Sequence, residues 1–392
     1  MTSDLIEREK NSILQTYGRL PIEIEYAKDC YIYDNEGNEY LDFLGGIAVN
    51  VLGHSHPEII DAIVKQSNQY LHVSNFFYQK PQIEIAEKLK FITKFDKVFF
   101  SNSGAESTEG ALKFARKWGA LHNKKDVVAF TGGFHGRTYG SLSLMEGEIY
   151  KKDMGPFLDN VKILKFNSIE ELQSNLDSNT AAVFIEFIQG SGGLNVADPQ
   201  WISKITELQE KYNFLIIADE VQSGLGRTGK FFSFEHYDIQ PDIVTIAKGL
   251  GGGIPIGAIL LNKKTSTLLG ASEHGTTFGG NALACATGIV VLNHLINGLQ
   301  TDINRISAYL KKKLQELILK HPDKIKSYKG LGLMCGLEFY DEAKPIVLEL
   351  LNRRIITNST SKTVLRLVPP YTIKNSMVDK LIDELDSILQ KS

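Results

Sequence analysis

Residues 214–222, Phe-Leu-Ile-Ile-Ala-Asp-Glu-Val-Gln, form a short apolar run that ends in two acids. Similar apolar runs flank it and alternate with segments of helical periodicity, such as residues 201–212 with Ile202, Ile205 and Leu208 on one face. Strands that are apolar on both faces and separated by helices are typical of a mainly parallel α/β sheet. The predicted strands are Val98–Phe100, Val127–Phe130, Val161–Phe166, Ala181–Glu186, Phe214–Ala218, Ile243–Ala247 and Ala258–Leu261.

The segments on either side of this sheet have a different pattern. The N-terminal residues predict short strands joined by turns, and residues 282–297 and 303–320 predict two helices. Gly330-Leu331-Gly332 is then expected to begin a smaller α+β segment. The predicted organisation is an N-terminal segment that joins a small domain, a large domain and a C-terminal small domain, at residues 1–50, 51–281 and 282–392.

Composition excludes several classes of protein. The 392 residues are 43% hydrophobic and 23% charged, with a net charge of −3, so a nucleic-acid partner is not expected. Cys30, Cys285 and Cys335 match no zinc or disulfide spacing, which favours a reducing compartment. The N-terminus lacks the apolar stretch of a signal peptide, and the longest strongly apolar run, Ile254–Leu261, is too short to cross a membrane. We therefore predict a cytoplasmic protein without a membrane partner.

Two strand ends carry residues that suggest chemistry. Asp219 ends one apolar run, and because open α/β sheets bind ligands outside the carboxyl ends of their strands, it is expected to face a cation or a protonated ring nitrogen. The N-cap of a following helix is an equally good explanation. Lys248 ends another strand and enters a loop with four glycines. Most lysines are surface charge, but partial desolvation at a strand end makes Lys248 a candidate Schiff-base former.

The tetrapeptide Ser103-Gly104-Ala105-Glu106 precedes a segment with helical periodicity. Ser103 is a credible N-cap, and Glu106 three residues later would complete a capping box. The same tetrapeptide also suits an anion, because the free N–H groups of Gly104 and Ala105 lie at the positive end of a helix and their side chains are small. The residues alone leave both interpretations open.

Two loops offer further candidate ligands. Residues 132–138 place Phe134 and Arg137 in a loop with three glycines, where a flat ring and a guanidinium could hold a heterocycle and a carboxylate. A loop arginine is more often simply solvated. Residues 274–280, His-Gly-Thr-Thr-Phe-Gly-Gly, add hydroxyl donors or form an ordinary turn.

Two nucleotide-binding motifs are nearly matched by the sequence, but each lacks a required residue. Residues 224–230 fit the spacing of a P-loop, but Phe231 stands where the magnesium-binding Ser or Thr is required. No G-x-G-x-x-G follows a predicted strand, since Ile254 occupies the last position of the only near match. A nucleoside-triphosphatase and a dinucleotide dehydrogenase are therefore disfavoured.

A phosphate cradle, a ring for stacking, a carboxylate for a ring nitrogen and a strand-end lysine are the parts that hold pyridoxal 5'-phosphate. The sequence resembles the class III pyridoxal-phosphate-dependent aminotransferases, and among them the branch that acts on acetylornithine. Asp219 and Lys248, and again Lys248 and Thr277, are separated by 29 residues, as expected for that family. The resemblance covers nearly the whole chain, and its most specific segments are residues 219–224, 247–253 and 274–280.

This resemblance implies the type I fold of these enzymes and a homodimer with both active sites at its interface. Lys248 would carry the cofactor and move the proton during catalysis, and Asp219 would keep the pyridine nitrogen protonated. Phe134 would stack on the ring and Gln222 would contact its phenolic oxygen. The remaining residues of the implied cofactor site are Ser103, Gly104, Ala105, His135 and, from the partner subunit, Thr277.

The resemblance also implies the substrates. Arg137, with Thr276 near it, would bind the α-carboxylate of N2-acetylornithine, and Arg366 would bind that of 2-oxoglutarate. The products would be N-acetylglutamate 5-semialdehyde and glutamate, a step of arginine biosynthesis. Other donors remain alternatives, namely ornithine, succinylornithine, N-succinyl-diaminopimelate and 4-aminobutyrate. A non-catalytic cofactor-binding regulator is a further alternative, although no effector module is visible in the sequence.

Three positions bear on the choice of donor. Ornithine aminotransferases usually have a tyrosine where this chain has Ile47, which favours the acetylated donor. In the segment 186–193, Phe187 replaces the usual proline and Ser191 replaces a glutamate that normally neutralises the carboxylate-binding arginine. We therefore hypothesise that Arg366 has another partner or an ion, or that the donor differs from acetylornithine.

Overall fold

The computed structural model describes residues 4–391, and three sheets organise this part of the chain. The strands are β1 Ile24–Lys28, β2 Tyr31–Asp34, β3 Glu39–Asp42, β4 Lys97–Ser101, β5 Asp126–Phe130, β6 Val161–Leu164, β7 Thr180–Ile185, β8 Leu215–Asp219, β9 Ile243–Ile246, β10 Gly257–Leu261, β11 Ile325–Leu331, β12 Met334–Phe339, β13 Ile355–Ile356, β14 Asn358–Thr360 and β15 Val364–Leu367. The helices are α1 Asp4–Ser12, α2 Gly45–Ala48, α3 Pro57–Ser67, α4 Lys80–Thr93, α5 Gly104–Leu121, α6 Tyr139–Ser143, α7 Glu148–Lys151, α8 Ile169–Asn175, α9 Pro199–Tyr212, α10 Ala282–His294, α11 Gln300–Lys320, α12 Lys344–Asn352 and α13 Asn375–Lys391.

The central sheet has seven strands in the order β4-β10-β9-β8-β7-β5-β6. The pairs β5–β6, β5–β7, β7–β8 and β8–β9 are parallel, whereas β10 is antiparallel to both of its neighbours. All seven predicted strands lie in this sheet, within a few residues of their predicted bounds. The prediction of a mainly parallel α/β sheet is therefore confirmed, with β10 as the single reversed strand of the seven.

Both faces of this sheet are buried, as the continuous apolar runs predicted. In β8, Ile216 and Ala218 belong to the larger hydrophobic cluster on one face, and Leu215 and Ile217 belong to a second cluster on the other. Helix α5 packs on the second face, and α9 contributes buried residues to the first. Each strand end is thus held rigidly between two packed layers.

Two smaller sheets flank the central one. The strands β1-β2-β3 form a sheet with β13, which comes from the C-terminal part of the chain, and β11-β12-β15-β14 form an antiparallel sheet. The smaller α+β segment begins at Ile325 rather than at residues 330–332, because the polar and glycine-containing strand β11 lacks the apolar pattern by which strands were recognised. The domain boundaries at residues 50/51 and 281/282 remain a prediction.

By length and composition, one helical stretch within residues 4–391, Ala282–Lys320, could cross a membrane. Its first part, α10, packs against α3 and α4 and contributes buried residues to the core. The backbone leaves helical geometry at Asn297 and at Gly298, which has a positive φ of 111°. The stretch is therefore two helices, of which the apolar one is a core element.

Chain direction brings functional residues to one edge of the central sheet. The strands β4, β5, β6, β7, β8 and β9 all end there, and β10, which runs the other way, begins there. The loops that follow the first six strands and the loop that precedes β10 therefore meet at this edge.

Strand β12 packs closely on β15, and Gly336 permits this approach. A Cβ atom at Gly336 would lie 1.9 Å from the backbone oxygen of Leu365, whereas a Cβ at Gly18 would have no neighbour within 4 Å. We expect Gly336→Ala to lower the free energy of unfolding by about 1–3 kcal/mol, because backbone atoms must move to admit the methyl group. Urea denaturation measures this difference. In the same titration, Gly18→Ala should change the free energy of unfolding by less than about 0.5 kcal/mol. Equal effects of the two substitutions would contradict this packing.

Candidate active site

A cavity of about 460 Å³ lies at the edge where these strands end, and we call it the strand-end cavity. Segments from six parts of the chain meet around it. Its lining residues are Val49, Asn102, Ser103, Gly104, Ala105, Phe134, His135, Gly136, Arg137, Glu186, Asp219, Val221, Gln222, Ala247, Lys248, Gly253, Ile254, Pro255 and Ile256.

Helix α5 begins at this cavity. The Ser103 hydroxyl accepts a hydrogen bond from the Glu106 N–H at 3.2 Å, so the predicted N-cap is confirmed. The predicted capping box is wrong, because the Glu106 carboxylate accepts from the backbone N–H and the side-chain amide of Asn102 instead. Gly104 and Ala105 form the first turn and line the cavity, which leaves the positive end of the helix facing it.

Asp219 is buried at the end of β8 and is paired. One carboxylate oxygen lies 2.7 Å from Nδ1 of His135, and the other accepts from the Val221 N–H at 3.1 Å. No helix begins after Asp219, where the chain forms turns, so the N-cap interpretation is wrong. Although burial lowers the pKa of His135, its hydrogen bond to Asp219 raises that pKa above the ordinary value. Asp219 thus has the His135 imidazole as its side-chain partner, and the expectation that it faces a cation or a protonated ring nitrogen stays a prediction.

Glu186 is a second buried carboxylate in the strand-end cavity. It accepts hydrogen bonds from the backbone N–H groups of Phe134 at 2.8 Å and Gly190 at 3.3 Å. Burial raises its pKa to about 7. It therefore fixes the loop that carries Phe134 against the end of β7.

Lys248 directly follows β9 and projects into the cavity from a strained backbone with a φ of 44°. Burial lowers the pKa of its amine to about 8. Within residues 4–391 its amine has no hydrogen bond or ion pair, although Asp219 and Glu186 act on it through space. The strand-end lysine is thus a partly desolvated amine, as predicted.

Arg137 and Phe134 lie together at the mouth of the cavity. The Arg137 guanidinium stacks 4.0 Å from the ring centroid of Tyr150 and lies 5.3 Å from that of Phe134. The side chain is exposed, but these two rings hold its position. It is therefore an oriented cation at the cavity rather than a freely solvated one.

Arg366, on β15, reaches the same region from the C-terminal sheet. Its guanidinium donates to Asn358 Oδ1 at 3.1 Å, to the Gly190 oxygen at 2.9 Å and to Gln222 Oε1 at 3.3 Å. Gln222 itself lines the cavity. Burial lowers the pKa of Arg366 to about 10.

The threonines of residues 274–280 are not in the wall of the cavity within one chain. Thr276 lines a neighbouring depression, and its hydroxyl accepts from the Asn102 side-chain amide at 2.9 Å. Thr277 is exposed in the same loop. The cavity and this loop are thus connected through Asn102.

The sequence analysis did not single out Glu186, Asn102 or Val221 as parts of the site. The strand-end rule that selected Asp219 applies equally to Glu186, which follows β7. Asn102 directly precedes the selected Ser103, but its contact with Thr276 joins residues 174 positions apart. No local pattern signals such a contact.

Comparison with known proteins agrees with this geometry. The sequence profile of the aminotransferase class-III family matches residues 13–389. The chain belongs to the class III aminotransferase family. It is 41% identical over 387 residues to an acetylornithine aminotransferase of Methanocaldococcus jannaschii, covering 98% of this chain and 97% of the relative. It is 42% identical over 381 residues to one of Archaeoglobus fulgidus, covering 97% and 99%.

Solved structures of aminotransferases have the same fold as this chain. An ornithine aminotransferase of Toxoplasma gondii superimposes with a TM-score of 0.94 at 29% identity, covering 99% of this chain and 96% of that one. An acetylornithine aminotransferase of Elizabethkingia anophelis gives 0.88 at 32% identity, covering 99% and 98%. The type I aminotransferase fold predicted from the resemblance is confirmed.

This aminotransferase is an enzyme that uses pyridoxal 5'-phosphate, and its cavity fits that cofactor. The start of α5 offers free N–H groups for a phosphate, and Asp219 offers a buried carboxylate for a ring nitrogen. Phe134 offers an aromatic face and Lys248 an amine of lowered pKa. All four chemical features line one cavity, so the residues present suit the cofactor.

The lowered pKa of Lys248 predicts a dependence of stability on pH. Folded Lys248 releases its proton near pH 8 and the unfolded residue near 10.5, so the unfolded protein binds more protons between these values and stability rises with pH there. In protein prepared without cofactor, Lys248→Met should therefore be more stable than wild type at pH 7 by about 1–3 kcal/mol.

Chemical denaturation between pH 7 and 10.5 measures this difference, which should shrink towards the upper end. The exposed Lys152, substituted as Lys152→Met, serves as the control and should show no such gain. A Lys248→Met protein that is less stable than wild type at pH 7 would contradict a desolvated amine.

Proposed function

We propose that this aminotransferase transfers the terminal amino group of N2-acetylornithine to 2-oxoglutarate, as part of arginine biosynthesis. The observation that carries the proposal is the identity of 41–42% over nearly the whole chain to acetylornithine aminotransferases. The site adds support, because Arg137 and Arg366 provide two separate cations for the two substrate carboxylates. Ile47, which is 42% exposed, provides no hydroxyl group for an unacetylated donor.

In this proposal the residues of the strand-end cavity have separate roles towards the cofactor. Bound pyridoxal phosphate supplies an electron sink for the carbon that loses its proton. Ser103, Gly104 and Ala105 hold the phosphate, and Phe134 stacks on the ring. Gln222 contacts the phenolic oxygen of the ring.

Asp219 stabilises a proton on the ring nitrogen, and His135 orients the Asp219 carboxylate through its 2.7 Å contact. Lys248 holds the cofactor and carries the substrate proton. A pKa of about 8 leaves part of its amine neutral near pH 7, as a general base requires.

The substrates are held by residues at the rim. Arg137 binds the α-carboxylate of acetylornithine, and Thr276 lies beside that substrate in the assembled enzyme. Arg366 binds the α-carboxylate of 2-oxoglutarate. Each arginine retains free N–H donors, and neither has a carboxylate partner within residues 4–391, so both can accept substrate carboxylates.

One observation favours other donors as a second candidate. Because residue 191 is a serine, it supplies no carboxylate partner for Arg366. The terminal amine of a bound donor would therefore lie near a cation whose charge is not neutralised. Ornithine, succinylornithine, N-succinyl-diaminopimelate and 4-aminobutyrate are the alternatives, and the first test below separates the first of these from acetylornithine.

We also propose that the enzyme is a homodimer whose interface includes the active site. Phe76 and Tyr78 are 93% and 100% exposed, and Phe77 and Phe278 add to the same aromatic surface. Asn75 joins its two loops by donating to the Thr276 oxygen at 3.2 Å. Exposed apolar patches of this kind mark interfaces, and the contact of Thr276 with Asn102 connects this one to the cavity.

The cytoplasm is the proposed location. The three cysteines are buried and free, as expected of a protein in a reducing compartment.

The donor can be tested without any oxo acid. Adding N2-acetylornithine to the holoenzyme should convert the visible absorbance of the bound cofactor to that of its amine form, because the terminal amine is the transferred group. Ornithine should do so only at much higher concentration. A faster conversion by ornithine would move the assignment to that donor, and the absence of any cofactor absorbance would overturn the role of Lys248.

The dimer can be tested by substitution in the aromatic surface. Tyr78→Arg should shift the protein towards monomers in sedimentation velocity and reduce its activity, because it places a charge in the proposed interface. Leu319 on α11 is 81% exposed and outside this surface, so Leu319→Arg is the matched control. A wild-type monomer with full activity would refute the proposal.

A further inference from the structure

Arg366 is a buried cation whose protein partners are all neutral. The residue is 6% exposed, and its three hydrogen bonds go to the side-chain oxygens of Asn358 and Gln222 and to the backbone oxygen of Gly190. It forms no ion pair with any carboxylate of residues 4–391. A buried charge without a counter-charge is costly, so this site favours a bound anion.

Glu186, the buried carboxylate that acts on Arg366 through space, does not fully supply that counter-charge. Both oxygens of Glu186 are committed to backbone N–H groups, those of Phe134 and Gly190. Burial also raises the pKa of Glu186, so part of it is protonated near neutral pH. Glu186 therefore neutralises Arg366 only in part and from a distance.

Ser191 follows Gly190, whose backbone oxygen accepts from Arg366. A carboxylate at position 191 would supply a counter-charge for Arg366 from within the protein, but serine has none. The backbone oxygen of Ser191 accepts hydrogen bonds from the hydroxyls of Thr360 and Ser361, which fasten this loop to the end of β14. The loop is thus held beside Arg366, and it carries a serine instead of a residue with a carboxylate. An ion bound at the guanidinium would take the place of the missing counter-charge.

We infer that a small monovalent anion, chloride being the probe, binds between Arg366 and Ser191 when no substrate carboxylate is there. The inference rests on the proposed function, in which the amino donor has its carboxylate at Arg137 and leaves Arg366 free. The anion then compensates Arg366 while the donor reacts. The α-carboxylate of the oxo acid displaces it in the second half-reaction.

This arrangement makes the two half-reactions respond to chloride in opposite directions. Chloride and the amino donor bind at the same time, and each raises the affinity of the enzyme for the other. The reason is that the ion removes the repulsion between Arg366 and a cationic terminal amine. Chloride and 2-oxoglutarate compete for one guanidinium. A general effect of salt would change both half-reactions in the same direction.

Chloride NMR of the holoenzyme tests the binding itself. The wild-type enzyme should broaden the chloride resonance, and 2-oxoglutarate should reverse the broadening. Ser191→Glu supplies an internal carboxylate and should abolish it, whereas the neutral control Ser191→Gln should retain it. Retained cofactor absorbance shows that each variant is folded. Broadening that is absent in wild type, or that survives in Ser191→Glu, overturns the inference.

The half-reactions supply the second measurement, with potassium HEPES replaced by potassium chloride at constant ionic strength. Chloride should lower the acetylornithine concentration for half-maximal conversion by about fivefold or more in wild type. Chloride should raise the 2-oxoglutarate concentration that gives half-maximal conversion of the amine form of the enzyme. Ser191→Glu should show neither effect.

The inference and the proposed function fail in different ways. If acetylornithine does not react but chloride is displaced by 2-oxoglutarate, the donor assignment is wrong and the anion site stands. If acetylornithine reacts at a rate independent of chloride, the anion site is wrong and the donor assignment stands.

Discussion

The contact between Asp219 and His135 is the interaction on which the active site depends. A carboxylate at the end of β8 is buried in the same cavity as Glu186 and the amine of Lys248. The 2.7 Å contact with the imidazole gives this buried carboxylate a hydrogen-bond partner, as a polar group in the interior requires. Because His135 follows β5 and Asp219 ends β8, the pair also connects two strand ends across the intervening β7.

The rest of the site follows from the direction of the strands. Six strands end and one begins at the same edge, so the start of α5, the loop of Phe134 and the strand-end Lys248 converge without long connections. Helix α5 and the opposite hydrophobic cluster bury both faces of this sheet, which keeps these groups in place. The C-terminal sheet adds Arg366 from outside, so the substrate role proposed for it depends on contacts between distant segments.

Much of this arrangement was predictable from local patterns. The apolar runs identified all seven strands of the central sheet, and the strand-end rule selected Asp219 and Lys248. The capping-box pattern failed for Glu106, whose carboxylate accepts from Asn102, because the backbone N–H donors of Asn102 and Ser103 are one residue apart and the pattern does not distinguish them. The polar strand β11 was missed because it lacks the apolar pattern by which strands were recognised, and it is paired with β12 only in the folded protein.

The surroundings of Arg366 could not be predicted. Its three acceptors come from residues 190, 222 and 358, which are far apart in the chain and meet only in the folded protein. The replacement of glutamate at Ser191 was visible in the sequence, but its consequence, a buried guanidinium among neutral oxygens, required the structure. In the proposed function, substrate choice therefore depends on charge compensation at a place that sequence patterns describe least well.

The central claim is that the Asp219–His135 pair holds a proton on the ring nitrogen of the cofactor. Nitrogen NMR of the holoenzyme, reconstituted with a cofactor labelled at that nitrogen, measures the claim directly. The account predicts the chemical shift of a protonated pyridine nitrogen in wild type and loss of that proton in Asp219→Asn. An unprotonated ring nitrogen in the wild-type enzyme at neutral pH would contradict it.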